Sequence, residues 1–390
     1  MLENNTIRHP RVEVADALRG FAVLAIVLLH SIEHFNFYSF PDAATRPQWL
    51  NFGDKAIWDS LFFLFGGKAY AIFALLFGFS FFIQDYNCRM RGTDFRGRFC
   101  WRLAVLFAIG CFNAAFFTGE ILVLYSIVGF VLVLTCRLGT RTLAWLAAFF
   151  LLQPVCLWQI ARAVLSADYH IPHIESAPLW AETFRVQSSA GFLETVKVNL
   201  VEGQLASLAW AWEHGRMFQT AALFIFGMLA GRLSLFSEEK LPVWGKILAT
   251  ALAAYFPLKG LDAMFPAYVE RPDILTPLHI LLSSLASFCF MLILVSGILF
   301  AYYKTAKLRA ALEFLIPYGR MSMTNYVTQG IIGASIFYHW GAYVQAGTTE
   351  SLLVGVAIFM VQYVFCRYWV ERHAHGPFEY AWKRATWIGS

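Results

Sequence analysis

Charge is scarce in this chain. Only 14% of its 390 residues are Asp, Glu, Lys or Arg, where a soluble globular chain carries roughly 25%. Metal-binding cysteine pairs are missing too. The seven cysteines, Cys88, Cys100, Cys111, Cys136, Cys156, Cys289 and Cys366, form no CxxC and no metal spacing, so they read as small buried residues. His170-Ile-Pro-His173 is a lone histidine pair with no further ligands close in sequence, and no metal is expected. P-loop, GxGxxG, GxSxG and HExxH signatures do not occur in a credible context. No internal repeat, low-complexity tract or separate soluble domain is visible. Basic residues interleaved with aromatics on a soluble domain are lacking, which excludes nucleic acid as a partner. A cleavable leader is not expected either: Glu3, Glu13 and Asp16 precede the first apolar run, with no clear small-x-small site after it.

Apolar and aromatic residues are abundant. The chain is 59% hydrophobic, with 38 Phe and 13 Trp, as in a polytopic membrane protein with aromatic belts. At roughly 20 residues per span there is room for about ten helices. Apolar runs place them at about 16–35, 57–85, 99–117, 120–136, 142–164, 216–236, 242–262, 276–303, 312–338 and 351–370. The expected fold is a single all-α transmembrane domain over 1–390, multi-pass in a bacterial inner membrane.

The cations give an orientation. Arg89, Arg91, Arg96, Arg98 and Arg102 crowd one short loop, Arg137 and Arg141 another, and Lys304, Lys307 and Arg309 a third. With both termini cytoplasmic, these loops and the basic tail at Arg372, Lys383 and Arg384 all lie inside, as positive residues prefer. Residues 165–215 then lie outside. Their near-helical alternation from Phe184 to Trp212 predicts one or two amphipathic helices on the outer surface, either a lid over a cavity or a packing element.

Three constellations could carry chemistry; the alternative is that Arg19 and Lys68 snorkel and that the other polar groups bond between helices. On the first span, Arg19 and His30 are eleven residues apart, about three turns and roughly 16 Å, so they share a face. Asp16 and His34 lie near that face. Such groups in an apolar span usually face a cavity or a bundle interior. Arg19 suits a phosphate-bearing ligand. His30 suits proton abstraction, with Glu33 a nearby carboxylate that could orient it. Second, Lys68 follows Gly66 and Gly67 inside an apolar stretch, where a lysine needs a partner or an anion. Third, Arg320, Thr324 and Thr328, flanked by Asn325 and Gln329, make a polar stripe that fits a lined cavity or polar contacts between helices. Glu120, Arg216, His279 and His339 are weaker candidates near outer helix ends.

Four stretches carry a family resemblance: Asp16-Ala-Leu-Arg-Gly-Phe-Ala22, Gly67-Lys-Ala-Tyr-Ala-Ile-Phe-Ala-Leu-Leu-Phe-Gly78, Gly319-Arg-Met-Ser-Met-Thr-Asn-Tyr326 and Gly376-Pro-Phe-Glu-Tyr-Ala-Trp382. Through them the chain resembles, over nearly its whole length, the YeiB-like family of bacterial multi-span proteins of unknown function. That family looks like a branch of a transmembrane acyltransferase superfamily, which also holds acyltransferase family 3 and the heparan-alpha-glucosaminide N-acetyltransferase type. Acyltransferase family 3 carries Arg and His in the pattern R-x10-H on its first helix, and Arg19 and His30 match it. Typical YeiB-like members often have Asn at the place of His30 and an acidic residue at that of Gly66. The first departure brings this chain closer to the acyltransferases, and the second removes a carboxylate partner from the Lys68 region.

The resemblance implies an O- or N-acyltransferase. Acyl-coenzyme A, such as acetyl-coenzyme A, would be the donor substrate, with no tightly bound cofactor. Its phosphates would dock at Arg19 with Arg98, Arg102 or Lys68. His30, with Glu33, would act as base or transient acyl carrier. His34, Arg320, Asn325 and Gln329 would hold the acceptor, an envelope sugar, a lipid or a small molecule. A transporter of a small metabolite or lipid, and a non-catalytic membrane subunit or sensor, are the alternatives. Membrane lipids are expected partners, and the sequence admits a homodimer.

Overall fold

The computed structural model describes residues 12–38, 40–172 and 175–388. Among these, every regular element is helical. The first six helices are α1 Glu13–Ile32, α2 Gln48–Phe65, α3 Ala69–Arg89, α4 Arg96–Ala114, α5 Leu122–Val128 and α6 Phe130–Thr135. Next come α7 Thr140–Leu151, α8 Pro154–Leu165, α9 Ser176–Gln187, α10 Phe192–Val198, α11 Gln204–Glu213 and α12 Arg216–Arg232. The remainder are α13 Leu241–Met264, α14 Pro272–Lys304, α15 Ala306–Glu313, α16 Ile316–Arg320, α17 Ser322–Phe337, α18 Thr348–Val370 and α19 Pro377–Thr386. By length and composition five helical stretches among the described residues suffice to cross a membrane, or six if the bent pair α7–α8 forms one span. The all-α expectation therefore holds, and these stretches have the apolarity of membrane-crossing segments. Fewer of them are long and unbroken than the ten expected spans.

The difference lies in where the backbone breaks. The expected helix 57–85 is two, α2 and α3, because Gly67 takes φ +72 between them, a conformation that glycine adopts at little cost. The expected helix 142–164 bends by 52° where Gln153 is left-handed ahead of Pro154. The expected helix 312–338 divides into α15, α16 and α17, with Pro317 in the first turn of α16. Residues 165–215 hold three helices and a π-helical turn at Asn199–Gly203, more than the one or two expected. The helix α19 lies beyond the last expected span.

Of the five candidate spans among the described residues, α1 is the most buried. It packs on α3, α16, α17 and α18. Two glycines permit the closest approach: a Cβ on Gly319 would meet the Asp16 carbonyl, and one on Gly20 the Leu315 carbonyl. The crossing of α3 with α12 is similar, with Gly78 against the Phe224 carbonyl and Gly227 against that of Leu75. Close backbone contact through small residues is how apolar helices gain packing energy where lipid offers no hydrophobic drive.

Candidate functional site

The shared face of α1 opens on two cavities, one near each end. The first, about 440 Å³, is lined by Arg19, Arg91, Arg102, Arg320 and Lys383, with Glu379 as its one lining carboxylate among the described residues. Arg19 donates to the buried Asp16 carboxylate at 2.5 Å and to Ser80 Oγ at 2.7 Å. The Arg102 guanidinium lies 3.4 Å from the centroid of the Trp382 indole. Its buried Nε has no hydrogen-bond partner among the described residues. Glu379 accepts from the amides of Met323 and Thr324 at 2.7 and 3.0 Å, and from Thr324 Oγ1 at 2.5 Å. It thus caps α17 from another element, satisfying amides that open a helix. The remaining lining charge is strongly positive, which favours an anion.

The second cavity, about 830 Å³, is lined by His30, Glu33, His34, Tyr38, Glu120 and Arg216 together with aromatic rings. Glu33 pairs with His34 Nδ1 at 3.1 Å and accepts from the Tyr38 hydroxyl at 3.2 Å. The carboxylate therefore orients His34 and leaves His30 to itself, contrary to the expected Glu33–His30 pairing. His30 sits among rings, 4.7 Å from Phe117 and 5.6 Å from His34 between centroids. Its buried Nδ1 lacks a partner among the described residues. Glu120 is buried and accepts from Asn113 Nδ2 and the Leu122 amide. Arg216 donates to Gln219 at 2.8 Å and lies 4.7 Å over the Tyr70 ring. At the cavity's rim, burial, reinforced by the Arg216 charge, holds the His214 imidazole below its ordinary value.

The roof of this cavity comes from α9 and α11, through Trp180, Phe184, Ser207 and Trp210. A buried amide cluster fastens it. Gln187 Nε2 donates to Thr118 Oγ1 at 3.3 Å and Asn199 Oδ1 at 2.8 Å, and Asn199 donates to the Ala115 carbonyl at 3.0 Å. Residues 165–215 thus line this cavity and pack against α4 and α12.

Only a thin partition separates the cavities. On α3, Tyr70 lines the histidine cavity and Phe73 the basic one, while at α5 Leu124 and Tyr125 divide likewise. The Tyr125 hydroxyl donates to the Tyr70 carbonyl at 2.9 Å and ties the partition together.

Several candidates lie elsewhere. Lys68 is apart from Arg19, donating to the Phe62 carbonyl at 3.3 Å and standing 5.2 Å over the Phe290 ring, because the break at Gly67 redirects it. Arg98 is spent on the carbonyls of Thr386 and Ile388, at 3.0 and 3.2 Å. Asn325 bonds the Tyr318 carbonyl, Gln362 and Cys366, joining α16, α17 and α18. Gln329 is fully buried, lines neither cavity, and has no side-chain partner among the described residues. His279 pairs with Asp262 at 2.6 Å between α13 and α14. His339 contacts the turn after α9. His170 pairs with Asp273, while His173 lies outside the described residues. No group of three metal-ligating side chains occurs among the described residues. Spacing along the sequence undervalued Glu120 and Arg216. It gave no sign of His214, Trp180 or Trp382, which reach the cavities from distant segments.

Residues 230–389 match a family described as a protein of unknown function (DUF418). That stretch includes Arg320 and α19 but neither Arg19 nor His30. Over nearly its full length the chain is similar to three uncharacterized bacterial proteins. YxaH of Bacillus subtilis is 27% identical, with 98% of this chain and 96% of that protein covered. A 39.9 kDa protein from the amylase 3′ region of Bacillus acidopullulyticus is 23% identical over 97% and 94%. YeiB of Escherichia coli is 23% identical over 95% of each. These similarities support the YeiB-like resemblance. No solved structure matches.

Proposed function

We propose that this protein is a membrane-embedded acyltransferase that works across its first helix, in a bacterial inner membrane. One observation carries the reading: a basic cavity and a histidine-lined cavity lie back to back along one face of α1. With the amino terminus inside, the basic cavity opens to the cytoplasm, where coenzyme A thioesters are. Arginines are suited to phosphate by their fork of donors. The acceptor, a hydroxyl or amine of an envelope sugar, a lipid or a small molecule, enters the histidine cavity beneath α9 and α11. His30 removes the acceptor proton as its oxygen or nitrogen attacks the thioester carbon. The carbon–sulfur bond breaks, and the departing thiolate takes up a proton. Arg19 and His30 are about 16 Å apart along the axis, so the flexible arm of the donor must cross the partition at Phe73 and Tyr125. Mixing purified protein with radiolabelled acetyl-coenzyme A and membrane extract tests this. Label transferred to an extract component by wild type and not by His30→Ala supports it; no transfer by wild type contradicts it.

The partition itself favours a second reading. Two cavities that adjoin at the Tyr70–Tyr125 contact also suit a transporter caught between openings. Substrate movement in vesicles with no covalent product would favour that reading.

A further inference from the structure

The wall of the basic cavity formed by α19 differs from the rest of the molecule. Only Thr386 of this helix is fully buried. Beside the partly buried Phe378 and Trp382, polar contacts hold α19 in place: the Glu379 cap on α17, Trp382 Nε1 to the Arg102 carbonyl at 3.0 Å, and Trp101 Nε1 to the Ala385 carbonyl at 2.9 Å. Elements with little buried apolar surface open at low free energy. Gly376, at its start, has no room for a Cβ beside Glu379 and Thr324. Closing α19 also concentrates charge. It brings Lys383 to a cavity already lined by Arg91 and Arg102, while the Glu379 carboxylate on the same helix is engaged by the Met323 and Thr324 amides and the Thr324 hydroxyl. Among the described residues Lys383 Nζ meets no carboxylate there, standing 2.8 Å from His375 Nε2. Arg102 supplies a buried donor without a partner among the described residues, and an indole stacked on its plane. The like charges of Lys383 and Arg102 oppose closure, and a bound anion reverses that.

We propose that α19 is the movable wall of the basic cavity, closed by a soluble ligand bearing two or more phosphates held between Lys383 and the α4 face at Arg102. This deepens the donor-site reading and rests on it only in that the cavity receives an anion. A cavity of about 440 Å³ suits a small ligand or part of a larger one. Anionic lipid headgroups share the phosphate chemistry, so the test separates the two sources.

Hydrogen exchange of the full-length protein is followed over residues 377–386, in nanodiscs of phosphatidylcholine alone and with phosphatidylglycerol added. The probes are coenzyme A and inorganic pyrophosphate. Either probe should slow exchange in α19 in both lipids. Lys383→Ala should weaken pyrophosphate affinity about tenfold, the scale of one charge-assisted contact, Lys383→Arg should restore it, and Lys304→Ala, on the surface beside Glu238, should leave it unchanged. Exchange in α19 unmoved by saturating probe overturns the proposal, as does protection by phosphatidylglycerol alone. Equal loss in Lys383→Ala and Lys304→Ala overturns it too. Pyrophosphate protection without any acyl transfer would sink the acyltransferase reading and leave this one standing. Acyl transfer with no movement of α19 would do the reverse.

Discussion

Glu33 and His34 form a pair one turn beyond His30, and this sets what each residue is expected to do. His30→Ala should lower acyl transfer by about 10²–10⁴, the range of a lost general base. Glu33→Gln, which perturbs only the neighbour's orientation, should lower it about tenfold to a hundredfold. A larger loss in Glu33→Gln than in His30→Ala, measured as turnover of acetyl-coenzyme A, would exchange the two roles. Backbone contacts predict stability in the same way. Gly227→Ala pushes a methyl into the Leu75 carbonyl and should cost about 1–3 kcal/mol. Gly67→Ala, at φ +72, should cost about 1–2 kcal/mol. Thermal unfolding in detergent reads both, and unchanged midpoints would mean that these helices give way easily. Arg19 and His30 were legible because an unbroken helix keeps its period. Lys68 was not, since one left-handed glycine before it resets the direction. Asn325 misled for another reason: a polar stripe within a span reads alike whether it faces a cavity or neighbouring helices, and here the Tyr318 carbonyl and the Cys366 thiol use up its side chain.

At the scale of elements, the roof over the histidine cavity is fastened through Gln187 and Asn199. Both side chains are fully buried, so Gln187→Ala leaves Asn199 and Thr118 without that partner, at about 1–3 kcal/mol. The expected result is faster hydrogen exchange across residues 176–213 with α1 unchanged; equal change in both would mean that the roof is not a separate unit. Its amphipathic character was visible in the sequence. Its partner was not, because the Thr118 and Ala115 contacts come from the end of α4 and leave no periodic trace. The helix α19 escaped notice as a wall for the same reason: its residues carried a family motif, while the cavity that it completes is assembled from α1, α3, α4, α5, α16 and α17.

For the whole molecule, the proposed orientation, with the loop cations inside, would place the basic cavity at the cytoplasm. Thr93→Cys, in the arginine-rich loop, and Glu270→Cys, between α13 and α14, test this over a background lacking the seven native cysteines. A membrane-impermeant thiol reagent added to intact cells should label the second and not the first. The reverse pattern would turn the chain over and place the basic cavity outside, where coenzyme A thioesters are scarce. Composition made the membrane character and the all-helical fold legible. The division of the interior into two cavities was not, since Phe73 and Tyr125 are ordinary apolar residues until α3 and α5 meet. The central claim is that one cavity takes the donor and the other performs chemistry. Calorimetric titration of acetyl-coenzyme A and coenzyme A into purified wild type, Arg19→Ala and His30→Ala tests it most directly. The account predicts binding to wild type and to His30→Ala, and none to Arg19→Ala; binding to none of the three, or loss with His30→Ala alone, would contradict it.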